Sequence, residues 1–406
     1  MVAVFSIAAA GEKTDAVLGE LDAKIQARNA AFVYAFYGCR HDDDAIYAFL
    51  RARFPGAAIL GGTSCAGVMT EVRLWGAGSI GLLLIDDESG EYGVAAAPLG
   101  ADPAATAEAL LHQALADAGC PGELPELIWI YQAPGQEEYV VEGLRRIVGD
   151  RCPIIGGSSA DDTVAGHWRQ LGPDGSLTDG LVVAVLFPSG GIGYAFQGGY
   201  EPAGPSGVVT RVGFDPAGAS GIVTKSRGRQ ILTIDDGPAA QTYNRWIGNI
   251  LDRKLAAGGN ILLETTMCPL ALDAGEIEGV PHYLLVHPEA VGPDGSLKTF
   301  ALIEEGARIY SMRGDRQRLV ERAGRVASQA ALRLPGGAAS LAGGLMVYCA
   351  GCMLAVDEEM PKVTRRVAES FSGMPFLGCF TFGEQGCIVG RNVHGNLMIS
   401  AIAFGR

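Results

Sequence analysis

The residue types able to do chemistry gather where apolar runs meet small polar residues. Three such stretches recur: Ile59-Leu60-Gly61-Gly62-Thr63-Ser64, Ile154-Ile155-Gly156-Gly157-Ser158-Ser159 and Phe376-Leu377-Gly378-Cys379-Phe380-Thr381. Glycine admits φ > 0 and leaves backbone N–H groups open to a ligand, while Ser and Thr add hydroxyls that can also close a local turn. One copy is a turn like any other. Three copies in equivalent settings bring their turns to a common place. The chemistry expected is binding: N–H groups of Gly61, Gly62, Gly156 and Gly157, hydroxyls of Thr63, Ser64, Ser158, Ser159 and Thr381, with Cys379 holding the glycine place in the third copy. Glu384, in Phe382-Gly383-Glu384-Gln385-Gly386, would supply a counter-charge for a ligand amine or cap the next strand. His394 and Asn396 follow close by.

Thiols and histidines offer other chemistries. Cys349-Ala350-Gly351-Cys352 has metal-pair spacing, and Cys379 and Cys387 could complete a four-ligand zinc site. The alternative is a set of small buried residues. Met353 stands where covalent c-type haem attachment needs histidine. His282, His287 and His394 are each candidates for an axial haem ligand, a proton-sensing contact or a structural side chain. A cysteine-dependent enzyme would use Cys65 or Cys352 as nucleophile and a histidine such as His394 as base. Gly76-Ala77-Gly78-Ser79-Ile80-Gly81 matches a dinucleotide fingerprint by letters but runs into the strand-like Leu82-Leu83-Leu84-Ile85 instead of a helix, so it is rejected.

Composition narrows the classes. The net charge of −14 leaves no basic footprint for nucleic acid and disfavours an anionic membrane surface. No segment approaches the ~18 consecutive apolar residues of a membrane span, and the start reads as a first strand, with no basic region before it. Nine cysteines, an odd count, suggest reduced thiols and a cytoplasmic setting.

Each copy of the turn needs elements to position it. Apolar runs at 31–36, 127–131 and 345–348 precede helical patterns, and runs at 80–85, 181–187 and 397–404 follow the turns. Asp42-Asp43-Asp44, Glu137-Glu138 and Pro361 open the three helices, and a further helix at 103–118 joins the first two units. Gly172-Pro173-Asp174-Gly175-Ser176 predicts a hairpin between 168–171 and 181–187. The proline and glycine cluster at 200–207 marks a domain boundary. Between 208 and 343 lie strands at 221–225, 230–234, 283–287 and 297–303, and helices at 239–250 and 315–332. The expectation is a two-lobed α/β protein with mixed β-sheets covered by helices, built from repeated β-α-β-β units, with domains 1–203 and 204–406 and the three turns on one rim or cleft.

These residues resemble a known family. Ile154 to Asp162 resembles the signature of the N-terminal half of FIST-domain proteins. Gly378 to Gln385, followed by His394-Gly395-Asn396-Leu397, is similar to the C-terminal signature, and Val223-Thr224-Lys225-Ser226 with Gly237 to Tyr243 looks like the opening of that C-terminal half. The resemblance implies an intracellular sensory, signal-input module that binds a small-molecule ligand such as an amino acid or derivative and signals to a separate protein such as a histidine kinase. Some members are haem proteins that sense nitric oxide, so haem is the alternative cofactor. The pattern spans the 406 residues, so the expected form is a stand-alone sensor, not an enzyme, with no nucleic acid or membrane partner. The sequence departs from the family at Thr63 to Val68, which lacks an acidic residue after the turn, and at His394 to Leu397.

Overall fold

In Phe32-Val33-Tyr34-Ala35-Phe36-Tyr37 every residue is apolar or aromatic, and a strand sends alternate side chains to opposite faces. In the computed structural model, which describes residues 2–203 and 219–406, Phe32, Tyr34 and Phe36 enter one core while Val33, Ala35 and Tyr37 enter another. The first core is shared by three sheets: Tyr34 and Leu60, Trp129 and Ile155, and Val347 and Cys379 all belong to it.

The chain divides into two compact units, one of residues 1–197, 320–394 and 399–406, the other of 198–319 and 395–398. The first unit is a threefold repeat. Its first copy runs β1 (Ala3–Ala10), α1 (Thr14–Ile25), β2 (Phe32–Tyr37), α2 (Asp43–Arg53), β3 (Ala58–Thr63), a hairpin β4 (Val68–Thr70) and β5 (Leu74–Trp75), then β6 (Ser79–Asp86). The second runs β7 (Glu91–Pro98), α3 (Pro103–Asp117), β8 (Leu127–Gln132), α4 (Glu137–Val148), β9 (Ile154–Ser158), hairpin β10 (Gln170–Gly172) and β11 (Gly175–Leu177), then β12 (Gly180–Phe187). The third opens with β13 (Ile192–Gly198) and resumes after the second unit with α5 (Arg316–Leu332), β14 (Leu341–Cys349), α6 (Ala350–Ala355), α7 (Met360–Ser370), β15 (Phe376–Thr381), hairpin β16 (Glu384–Ile388) and β17 (Arg391–Gly395), and β18 (Met398–Gly405).

The repeat is therefore longer than the β-α-β-β pattern read from the sequence: a leading strand and helix belong to each copy, and the helix at 103–117 lies inside the second. Helix starts follow local chemistry. Asp42 caps α2 by accepting from the Asp44 and Ala45 N–H groups at 3.0 and 3.1 Å, and proline sits in the first turn of α3 and α7.

In each copy the middle strands are parallel (β2 with β3, β8 with β9, β14 with β15), and the closing strand runs antiparallel beside the first of them. Such mixed sheets are what a βαβ unit followed by a return strand produces. The hairpins do not stay with their own copy. β4–β5 borders β15 of the third sheet, β10–β11 borders β3 of the first, and β16–β17 borders β9 of the second. The exchange covers the otherwise open edge of every parallel pair. It also corrects the hairpin expected between 168–171 and 181–187: β10 turns onto Gly175–Leu177, and β12 joins β7 and β8 in another sheet.

The second unit holds strands Ser220–Arg227, Gln230–Ile234, Leu270–Ile277, Val280–Val286, Pro288–Val291, Leu297–Thr299 and Arg308–Arg313, with a helix Ala239–Trp246 that stops short of the expected residue 250. Val223, Ile234, Tyr243, Leu270 and Ile309 form its core. The boundary cluster at 200–207 lies, from 204 onward, outside the described residues.

Candidate functional site

The three Gly-containing stretches end the parallel strands β3, β9 and β15, and each is hydrogen-bonded to the other two. Cys65 N–H donates to the Phe380 carbonyl at 3.1 Å, and Phe380 N–H donates to Ser64 Oγ at 2.8 Å. Ala160 N–H donates to the Thr63 carbonyl at 3.2 Å, which also accepts from the Tyr131 hydroxyl at 2.6 Å. Ser158 N–H donates to the Gly383 carbonyl at 2.8 Å and accepts, through its own carbonyl, from Phe382 N–H at 3.0 Å. Glycine is required where the strands meet. A Cβ on Gly62, whose φ is +147°, would lie 2.3 Å from the Arg169 carbonyl, and one on Gly157 would lie 2.5 Å from Thr381 Cγ2.

This geometry revises one expectation. The glycines are strand residues in ladders, and the turn N–H groups of Thr63, Ser64, Ser158 and Ser159 donate to the carbonyls of Arg169, Tyr37, Gly383 and Gln132. Buried N–H groups must be satisfied, and here the neighbouring strand ends satisfy them. The polar groups left for a ligand are side chains.

These side chains lie on the helix-covered face of the second sheet. Gln132 on β8 pairs with Ser158 on β9, and Gln385 on β16 pairs with Gly156; residues in register share a face. Ser158 Oγ donates to Glu137 Oε1 at 2.7 Å, and Glu137 Oε2 accepts from Gly135 N–H at 3.0 Å, at the start of α4. Gln385 Nε2 lies 3.1 Å from His394 Nδ1. A Cβ on Gly383 would be 2.6 Å from His394 Cε1, 3.1 Å from Ser158 Oγ and 3.5 Å from Glu137 Oε1, so glycine lets three functional side chains close on one point. Four atoms of this buried group have no hydrogen-bond partner: Gln132 Oε1 and Nε2, Gln385 Oε1 and His394 Nε2.

Thr381 and Glu384 form a second polar contact, hydroxyl to carboxylate at 2.7 Å; Glu384 is in strand β16, not a turn. Ser159 Oγ accepts from Gln170 Nε2 at 2.6 Å. The loop after Ser159 is held by Asp161: burial opposes its charge, but N–H groups of His167, Thr163, Val164 and Ala165 outweigh burial and hold the carboxyl below the usual range. Asn396 stands apart, in the second unit, where it accepts from His287 N–H at 3.2 Å and its N–H donates to the Leu285 carbonyl at 3.0 Å. His287 itself is bonded to the Leu262 carbonyl and pushed down to about 4 by burial, a satisfied neutral histidine.

The thiols do not assemble. Cys349 and Cys352 are neighbours, Cys379 faces the shared core beside Tyr34 and Tyr131, and Cys387 lies near Tyr194. Among the described residues no group of three or more His, Cys, Asp or Glu side chains is placed to hold a metal ion. Burial, reinforced by Asp162 and Asp161, pushes the Cys65 thiol up to about 12, the opposite of an activated nucleophile.

Sequence reading missed Gln132, Glu137 and Gln385. The available signal was a lone polar residue ending an apolar strand, Leu-Ile-Trp-Ile-Tyr-Gln, opposite a serine.

Two family models match the chain. A family model described as FIST N domain matches residues 31–213, and one described as FIST C domain matches residues 239–387. No curated protein sequence matches. Among solved structures, a cyanuric acid hydrolase from A. caulinodans aligns over 100% of this chain and 99% of its own, at 9% identity and TM-score 0.33. PurLQS from Thermotoga maritima aligns over 77% and 73%, at 10% identity and TM-score 0.19. These scores are too low to carry an argument about fold or function. Among the described residues no helix is long and apolar enough to cross a membrane.

Proposed function

The chain belongs to the FIST family, whose domains are associated with sensory signal transduction and small-ligand binding, and from that premise we propose that it is a cytoplasmic signal-input protein binding a small polar ligand where its strand ends converge. One observation carries the reading: four unpartnered polar atoms are buried, on Gln132 at the end of parallel strand β8 and on Gln385 and His394 in the hairpin beside β9. Ligands of α/β proteins bind outside the carboxyl ends of such strands, and a few placed polar groups among apolar walls give small-molecule specificity. Ser158 and Glu137 complete the polar lining. An amino acid or derivative is one class within this reading.

The output follows from the same construction. A ligand at the convergence binds strand ends of more than one repeat, so it favours one arrangement of the loops leaving them, and a separate signalling protein, such as a histidine kinase, reads that arrangement. A receptor is favoured over a cysteine enzyme because Cys65 is held protonated.

The test is thermal. A ligand that binds only the native state raises Tm with its concentration. Polar metabolites are screened against the full chain, and each hit is repeated with His394→Ala and Gln385→Ala. Hits that shift Tm in the wild type and fail in both variants support the site. A library with no hit, or hits indifferent to both substitutions, would overturn it.

A further inference from the structure

Gln132 has a side chain that the fold does not use. It is fully buried, and neither end of its carboxamide is hydrogen-bonded. Its backbone carbonyl accepts from the N–H and Oγ of Ser159. A buried polar group without partners destabilises the native state, and an apolar side chain of the same length would not. Stability does not account for this residue.

A carboxamide shows one donor and one acceptor side by side, whichever way it is turned. The group that completes it must show the complementary pair. Across β9, a distance of about 10 Å for two strand spacings, a second such pair waits. Gln385 and His394 share one hydrogen bond, so the amide atom and the Nε2 left over are one acceptor and one donor, whichever way the amide is turned. Donors and acceptors are thus balanced on both sides of Ser158.

We propose that this site recognises a small neutral molecule by an amide-type edge (a carboxamide, lactam or ureido group) paired through two hydrogen bonds with Gln132, and that Gln385 and His394 take its far side. The inference deepens the small-ligand reading above and rests on it. A carboxylate, with acceptors only, would set an oxygen against Gln132 Oε1. An ammonium, with donors only, would leave Gln132 Nε2 without an acceptor. Gln132 is the specificity-determining residue.

The test uses the full chain and probes of matched size: acetamide and N-methylurea for the amide edge, acetate and methylammonium for the two charges. Saturation-transfer NMR measures binding to the wild type, Gln132→Met and Gln132→Glu. The amide probes are expected to bind the wild type and to weaken by about tenfold or more in Gln132→Met, which loses both hydrogen bonds. Without probe, Gln132→Met should melt higher than the wild type by about 2 °C or more, because two unsatisfied groups are gone. Gln132→Glu, now presenting two acceptors, should prefer acetamidinium over acetamide. Acetate or methylammonium binding the wild type as well as the amides would overturn the amide edge and leave a small-ligand site standing. No binding by any probe would also overturn it, and if Gln132→Met then melts lower than the wild type, Gln132 is a packing residue and the small-ligand reading fails with it.

Discussion

At the end of β8 the second repeat sets Gln132 against Ser158; at the same row of the third sheet Tyr348 stands against Phe380. The backbones match, with parallel strands in register and a borrowed hairpin alongside. The chemistry does not. Tyr348 and Phe380 make an edge-to-face pair with ring centroids 6.3 Å apart, buried and apolar. Gln132 leaves its amide atoms unsatisfied, and the Ser158 hydroxyl donates a hydrogen bond to Glu137. A threefold scaffold thus makes three equivalent places, and side chains decide which of them is a site. The third repeat supplies stability at its own row and lends its hairpin, with Gln385 and His394, to the row of the second.

The largest effect should come from the meeting point itself. Gly62→Ala places a Cβ against the Arg169 carbonyl at a positive φ, and a loss of about 4 kcal/mol is expected in urea denaturation. Cys379→Ala, at the matching place in the third repeat, leaves only a small cavity and should cost about 1 kcal/mol. Equal losses would mean that the copies do not differ there.

Phe380→Ala against Ser158→Ala separates the two rows. Removing the buried ring should cost about 3 kcal/mol and leave the ligand-induced Tm shift of any hit intact. Ser158→Ala should cost about 1 kcal/mol and diminish that shift. The reverse pattern would put the site in the third repeat.

The smallest effect extends the contrast to a buried histidine of the second unit. His287 in the second unit is held near 4, against an ordinary value of 6.5. Between those pH values the unfolded chain binds a proton that the native chain does not. Stability is therefore complete above pH 6.5 and falls as pH drops toward 4, by at most about 3 kcal/mol and by less at intermediate pH. Urea midpoints at pH 7 and 5 should differ more in the wild type than in His287→Gln, by about 1 to 2 kcal/mol. No difference between the proteins would show that His287 is not held neutral.

Local features were legible because their causes are local. Asp42, Pro103 and Pro361 announce helix starts within one turn of chain, and the three Gly-containing stretches announce the strand ends. That the strand ends meet was inferred from repetition alone, and the hydrogen bonds among Thr63, Ser158, Phe380 and their neighbours bear out the meeting. The hairpin exchange was not legible: β16 pairs with a strand more than 200 residues earlier, and nothing in Glu384 to Ile388 names its partner. Gln132 was illegible for another reason. Its distinction is a missing hydrogen bond, which exists only once the surroundings are folded.

The borrowed hairpins also set a timetable for synthesis. No copy can finish its own sheet: the first sheet waits for residues 170–177, and the second for residues 384–395. While the 122 residues from Gly198 to Leu319 are being made, the first sheet already has its hairpin, but the second keeps an unguarded edge at β9. Edges of that kind recruit other chains. The exchange is complete only once residues 384–395 are made, so intermediates that lack them, more than the folded protein, are where chaperones would engage this molecule.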